Sequence, residues 1–155
     1  MAETQVNDFV FQLPSSLQQQ LRLRNDMRAA ELTTIGVGDV TPPLVEPVSL
    51  SALQDLQAHV AETGVPLRVL GFGSNVVISQ ASSEFLFLRL GKEFPGYQFL
   101  PDDIELDRRL LERNSEPATT SARDSGRILV RGGTSLMSLS RELSRLGFSG
   151  LEFAA

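Results

Sequence analysis

The segment Gly71-Phe72-Gly73-Ser74-Asn75 is the part of this sequence whose residue types could bind a charged group. A diphosphate is strongly anionic, and a loop can hold it by turning several backbone N–H groups inward. Gly71 and Gly73 supply the necessary freedom, because glycine reaches positive φ and lets the backbone come close to a ligand. Ser74 adds a hydroxyl donor and Asn75 an amide donor, so no lysine is required. The pattern predicts a phosphate-binding loop.

A plain hairpin turn is the competing interpretation of these five residues, and the short string alone fits both. A dinucleotide-binding G-x-G-x-x-G motif does not fit, because Val76 stands at the third glycine and a β-branched run follows where a helix is needed. A Walker loop is excluded because no Gly-Lys-Ser/Thr follows.

Other polar residues are weaker candidates for chemistry. His59 is the single histidine, and Thr63 stands at i+4 on its predicted helix, so we expect no metal site there. The serines between residues 135 and 144 have no histidine or nearby lysine to take a proton, so we interpret them as capping and solvation residues. The acidic run at 102–107 is interpreted as a solvated face and not as a cation site.

The composition is typical of a folded globular protein and excludes several classes of function. The 155 residues, 41% apolar and 21% charged, suffice for one domain with its own core. A net charge of −5, from 14 basic and 19 acidic residues, disfavours nucleic acid and anionic membranes as partners. The absence of cysteine excludes disulfides and thiolate chemistry. With neither a signal peptide nor a run of ~18 apolar residues, we expect a cytoplasmic protein.

The elements that must position the loop follow from the hydrophobic pattern, which predicts an α+β sandwich of short strands and a few helices. Helices are expected over 15–30, between Ser51 and Gly64 behind a Ser51/Gln54 capping box, and from Thr134 to Gly147 behind a Thr134 cap. Strands are expected at 32–38, 44–48, 67–70, 76–78, 85–90, 96–100 and 128–130, with 96–100 pairing with 85–90. The charged, Ser/Thr-rich residues at 101–127 predict a mobile surface insertion.

Four segments taken in order resemble one family. They are Thr-Thr-Ile-Gly-Val-Gly at 33–38, Leu-Gly-Phe-Gly-Ser-Asn-Val-Val at 70–77, Ile-Leu-Val-Arg-Gly-Gly at 128–133 and Gly-Leu-Glu-Phe-Ala-Ala at 150–155. Their order and spacing resemble those of the UDP-N-acetylenolpyruvoylglucosamine reductases, whose FAD domain belongs to the vanillyl-alcohol oxidase class. Two residues depart from that pattern: Leu32 stands where asparagine is usual, and Asp39 where a second glycine is usual.

The resemblance implies a fold and a cofactor site. It implies an α+β, PCMH-type FAD-binding domain at 32–155, made of two small α/β subdomains and incomplete at its C-terminus, after an N-terminal extension and helix at 1–31. It also implies a set of residues that contact the FAD pyrophosphate, namely Gly71, Phe72, Gly73, Ser74, Asn75 and Val76.

The resemblance further implies a reaction, in which NADPH reduces FAD and FAD reduces the enolpyruvyl group of UDP-N-acetylglucosamine enolpyruvate during peptidoglycan precursor synthesis. The family's second flavin loop and catalytic residues follow the position of Ala155, so no catalytic residue is assigned and the chain is expected to be a partial form, inactive alone. Two alternatives remain. One is a degenerate FAD- or nucleotide-binding half-domain without catalysis, and the other is a different PCMH-type flavin oxidase.

Limited proteolysis is expected to cut the chain first between residues 101 and 127, since few apolar residues there offset the entropy of ordering a long segment. The masses of the first fragments formed by a protease of broad specificity measure the site of cleavage. A first cut within 51–78 would show that the core has been assigned to the wrong part of the chain.

Overall fold

The computed structural model describes residues 13–78, 85–100 and 126–154, and it is a mixed α/β structure with two small sheets. The chain divides into two compact units, Met1–Glu93 and Phe94–Ala155. The expected mixture of short strands and helices is therefore confirmed. The finer division into residues 1–31 and 32–155 stays a prediction.

The first unit is built around a four-stranded sheet with the order β1-β2-β4-β3. Strand β1 is antiparallel to β2, whereas β2, β4 and β3 are parallel to one another. The carboxyl ends of these three parallel strands therefore lie at one edge of the sheet. In chain order the elements are α1 (Ser15–Gln18), β1 (Leu21–Arg24), α2 (Ala29–Leu32), β2 (Leu44–Pro47), α3 (Leu50–Thr63), β3 (Leu67–Val69) and β4 (Leu86–Leu88).

The two inner strands of the first unit's sheet, β2 and β4, are buried on both faces. Side chains alternate along a strand, and over residues 85–88 Leu86 and Leu88 of β4 enter one cluster while Phe87 and the preceding Phe85 enter the other. The first cluster joins the sheet to α1 and α3; its buried members are Leu13, Leu17, Leu21, Val45, Leu56, Leu86 and Leu88. The second joins the sheet to α2; its buried members are Ala29, Leu32, Leu44, Leu70, Ile78, Phe85 and Phe87. Double burial explains why β4 is apolar throughout.

Helix α3 matches the predicted helix between Ser51 and Gly64, but its cap differs. The N-cap is Ser49, whose hydroxyl accepts a hydrogen bond of 3.1 Å from the Ala52 N–H. The predicted capping box on Ser51 is therefore wrong, because the N-cap lies two residues earlier. At the other end Gly64 takes the left-handed conformation, with φ of 73° and its N–H bonded to the Val60 carbonyl, as the sequence predicts.

The second unit contains an antiparallel pair of strands, β5 (Tyr97–Leu100) and β6 (Arg127–Val130), then α4 (Leu136–Arg145) and a 3-10 turn at Glu152–Ala154. The predicted Thr134 cap of helix α4 is wrong, because the N-cap is Ser135, whose hydroxyl accepts from the Ser138 N–H. The Thr134 hydroxyl instead accepts from the Gly96 N–H and donates to the Gly96 carbonyl, at 2.9 Å in each case. The Thr134 side chain therefore fixes the entry to β5.

Several predicted elements are corrected by the structure. The single helix over 15–30 is wrong, because Leu-Arg-Leu-Arg at 21–24 alternates with period two and pairs with β2. Residues 33–38 and 76–78 form no strand, and 96–100 pairs with β6 and not with 85–90. The predicted insertion lies outside the described residues except at its end, where Arg127 opens β6.

Replacing Ser49 by alanine is expected to lower the free energy of unfolding by about 1 kcal/mol, because the Ala52 N–H loses its acceptor. Ser51→Ala is the matched control; the Ser51 hydroxyl lies 2.9 Å from that of Ser49, and Ser51 is not the cap. Urea denaturation of both variants measures the difference. A larger loss in the Ser51 variant would restore the capping box to Ser51.

Candidate functional site

The glycine loop, residues 71–75, begins just after the end of β3. A hydrogen bond of 2.8 Å from the Leu70 N–H to the Leu88 carbonyl extends the β3–β4 ladder up to the first glycine. The loop therefore lies at the carboxyl edge of the parallel strands. In open α/β sheets this edge is where ligands bind.

The loop packs directly on residues 33–38, which we call the threonine segment. The Thr34 N–H donates to the Gly73 carbonyl at 3.0 Å. Gly73 has φ of +69°, and a β-carbon added to it would lie 1.9 Å from the Leu32 carbonyl oxygen. Both the conformation and the contact demand glycine at this position. Two of the motifs that carried the family resemblance are thus in contact.

The end of the threonine segment is held in a similar way. Gly38 has φ of +104°, and a β-carbon there would lie 2.8 Å from the Ala29 β-carbon and 3.4 Å from the Ile78 carbonyl oxygen. The Gly38 carbonyl accepts from the Ala30 N–H at 3.2 Å, and the Asp39 carbonyl accepts from the Ala29 N–H at 2.7 Å. The departure at Asp39 from the family pattern therefore leaves this backbone contact in place.

The polar groups of the glycine loop are available to a ligand. The side chains of Ser74 and Asn75 are exposed, and Phe72 is 62% exposed. The backbone N–H groups of residues 71–75 donate no hydrogen bond to any other residue that the structure describes. Val76, the last residue of the predicted set, is 36% exposed. The loop thus presents neutral donors to its surroundings, and its contact with the threonine segment uses the Gly73 carbonyl.

A cavity of about 220 Å³ lies beside the loop in the first unit. We call it the loop pocket; its lining residues are Glu31, Leu32, Thr33, Thr34, Phe72 and Arg89. Arg89 follows the middle parallel strand directly and was not singled out by the sequence. The signal that could have found it is one cation within the apolar run Phe-Leu-Phe-Leu-Arg-Leu at 85–90.

Arg89 is half-buried, and its Nε is buried without a hydrogen-bond partner in the described part of the chain. Burial lowers the pKa of Arg89, while Glu46 raises it and Arg24 lowers it further. Glu46 is buried, with one carboxylate oxygen 3.8 Å from the Arg24 Nε. Arg89 therefore supplies positive charge at the edge of the sheet next to the glycine loop.

The other two family motifs lie in the second unit. The segment at 128–133 ends β6, where the Gly133 N–H donates to the Phe94 carbonyl at 3.1 Å and a β-carbon on Gly133 would lie 2.7 Å from the Phe94 β-carbon. In the segment at 150–155, Gly150 has φ of +112°, and the Leu151 carbonyl accepts from the Ser140 hydroxyl at 2.7 Å. In both segments a backbone contact or conformation favours glycine.

Neither a metal centre nor a spanning helix is found in the described ranges. His59 lies on α3, and no group of three or more metal-binding side chains occurs among residues 13–78, 85–100 and 126–154. None of the helices in those ranges combines the length and hydrophobicity needed to cross a bilayer.

Gly73→Ala is expected to lower the free energy of unfolding by about 3 kcal/mol, because the methyl group adds a clash with the Leu32 carbonyl to the strain of a positive φ. Gly36→Ala is the matched control, because Gly36 has the same φ of +69° but no described residue within 4 Å of an added β-carbon. Its expected cost is about 1 kcal/mol. Equal costs in ligand-free urea denaturation would contradict the close packing of the loop.

No family model matches the chain, but individual proteins do. A UDP-N-acetylenolpyruvoylglucosamine reductase of Leptospira interrogans is 27% identical over 153 residues, or 99% of this chain and 40% of that protein. UDP-N-acetylenolpyruvoylglucosamine reductase 2 of Symbiobacterium thermophilum is 30% identical over 133 residues, or 86% of this chain and 35% of that protein. The protein of that name from Anaeromyxobacter sp. is 41% identical over 71 residues, or 46% of this chain and 22% of that protein.

The chain thus spans about two fifths of the length of the first of these relatives. The match to it extends over nearly the whole chain, from the first unit into the second. The resemblance inferred from four short motifs is therefore confirmed: this chain is similar in sequence to the UDP-N-acetylenolpyruvoylglucosamine reductases.

Proposed function

We propose that this chain binds the diphosphate of FAD through residues 71–76. In this proposal it is the flavin-binding part of a UDP-N-acetylenolpyruvoylglucosamine reductase. The observation that carries the proposal is the contact between the glycine loop and the threonine segment, in which the loop N–H groups have no acceptor among the residues that the structure describes. The similarity to reductases over most of the chain supports it. The proposed fold is the PCMH-type FAD-binding domain.

The donor set fits a diphosphate on chemical grounds. No described residue lies within 4 Å of a β-carbon added to Gly71, so a ligand can approach its backbone closely. The exposed Ser74 hydroxyl and Asn75 amide supply side-chain donors, and N–H groups of the loop supply more. Neutral donors converging on an anion form charge-assisted hydrogen bonds, which are about twice as strong as neutral ones.

The proposed reaction is the reduction of UDP-N-acetylglucosamine enolpyruvate to UDP-N-acetylmuramate in the cytoplasm, a step of peptidoglycan precursor synthesis. Bound FAD would supply the hydride chemistry, with NADPH as the donor and the enolpyruvyl group as the acceptor. The residues of this chain hold and orient the cofactor in this proposal. No catalytic residue is assigned to any position of the chain.

Titration of the 155-residue chain with FAD, followed by two-dimensional NMR, tests the proposal even if the affinity is only in the range of about 1 mM. The amide signals of residues 71–76 are expected to shift. Asn75→Ala should weaken FAD binding about tenfold or more, because a donor to a charged group is lost. Gln54→Ala is the control: Gln54 is an exposed amide side chain on α3, outside the loop, and its loss should leave the affinity unchanged.

Riboflavin, which lacks the diphosphate, separates the proposed site from unspecific flavin binding. It should shift the amide signals of residues 71–76 much less than FAD does. Equal shifts with the two flavins, or no shift with FAD, would overturn the proposed function.

A further inference from the structure

We propose that Arg89 binds a phosphate group of the nucleotide ligand in the loop pocket, which makes this arginine a cationic contact next to the neutral donors of the glycine loop. The inference rests on the proposed function and adds a residue and a charge to it. The group to be bound is a phosphate or diphosphate, and inorganic pyrophosphate serves as its simplest form.

The position of Arg89 in the sheet is the first argument. Arg89 directly follows β4, the middle of the three parallel strands, and the glycine loop follows the neighbouring strand β3. Hydrogen bonds from the Leu70 N–H to the Leu88 carbonyl and from the Arg89 N–H to the Val45 carbonyl fix the backbone here. Both features therefore stand at the same carboxyl edge, where a ligand of the loop would lie.

The unused donor is the second argument. The Arg89 Nε is buried and has no hydrogen-bond partner among the described residues. Buried polar groups are nearly always hydrogen-bonded, and an exception calls for an explanation. A phosphate oxygen accepts well from a guanidinium group, often through two parallel N–H bonds. A ligand in the pocket would supply the missing acceptor.

A structural role as the partner of a buried acid is the competing explanation, and the distances argue against it. Glu46 has Arg24 as its nearest cation, at 3.8 Å, and Arg89 forms no ion pair within the described part of the chain. Glu46 therefore attracts the Arg89 charge only at longer range, and the Arg89 Nε still has no acceptor among the described residues.

The lining of the loop pocket fits a phosphate group. A volume of about 220 Å³ is below the range of roughly 300 to 1,000 Å³ that holds a whole drug-sized ligand, so one end of a nucleotide is the appropriate occupant. The Thr33 hydroxyl already donates to the Ala29 carbonyl, but Thr34 is exposed. The carboxylate of Glu31 would repel a phosphate group. Because Glu31 is exposed, solvent and salt screen its charge more than they screen the charge of Arg89.

Binding of pyrophosphate and of FAD to the full 155-residue chain, followed by NMR, tests the inference. Arg89→Gln is expected to weaken the binding of both ligands about tenfold or more. Arg89→Lys, which keeps the charge, is expected to weaken their binding less. Arg68→Gln is the matched control. Arg68 is a cation on the adjacent strand β3 that stacks 4.3 Å from the Phe85 ring centroid, outside the loop pocket, and its loss should leave both affinities unchanged.

The Nε–H signal of Arg89 in the wild-type chain provides a second readout, which decides the matter if Arg89→Gln fails to fold. It should shift when pyrophosphate is added. A signal that does not move while pyrophosphate saturates the chain, or an absence of pyrophosphate binding to the wild type, would overturn the inference.

The two proposals fail in different ways. If FAD binds equally well to wild type and Arg89→Gln, the phosphate contact is overturned and the proposed function stands. If pyrophosphate binding depends on Arg89 but FAD does not bind, the phosphate contact is supported and the proposed function is overturned.

Discussion

The first unit depends on the close approach of two backbone segments, in which the Gly73 carbonyl accepts a hydrogen bond from the Thr34 N–H while the Gly73 α-carbon lies against the Leu32 carbonyl. A side chain at position 73 would force these segments apart. Leu32 belongs to the second hydrophobic cluster, so the same contact fixes the loop to the core. The geometry of the candidate site is therefore set by packing beneath it and not by the loop residues alone.

The burial of the inner strands on both faces explains how so short a set of strands can position this loop. Strands β3 and β4 have only three residues each, yet β4 is buried on both faces by leucines on one side and phenylalanines on the other. The Phe85 and Phe87 rings meet edge to face, with centroids 5.0 Å apart. Apolar packing on both faces of β4 fixes the point from which the chain continues to Arg89, and the bond from the Leu70 N–H to the Leu88 carbonyl ties the start of the glycine loop to the same strand.

The sequence predicted the features that local chemistry dictates and missed those that depend on distant partners. The apolar spacing of α3 and the glycine at position 64 are local signals, and both were found. Strand β1 was missed because Leu17 and Leu21 have the four-residue spacing of a helix face, and only the pairing with β2 shows that residues 21–24 are a strand. The glycine loop was found from its residue types. Arg89 was missed because its role depends on the order of the strands, and no spacing in the sequence reveals that order.

The paired bonds between the Thr134 hydroxyl and the Gly96 backbone have a consequence for variation in length. Together with the β5–β6 ladder they close the chain on itself across all the residues between those strands. The entropy of closing a loop grows only with the logarithm of its length, at about 0.6 kcal/mol for each doubling. A change in the number of residues between β5 and β6 is therefore expected to cost little stability as long as these closing contacts are kept.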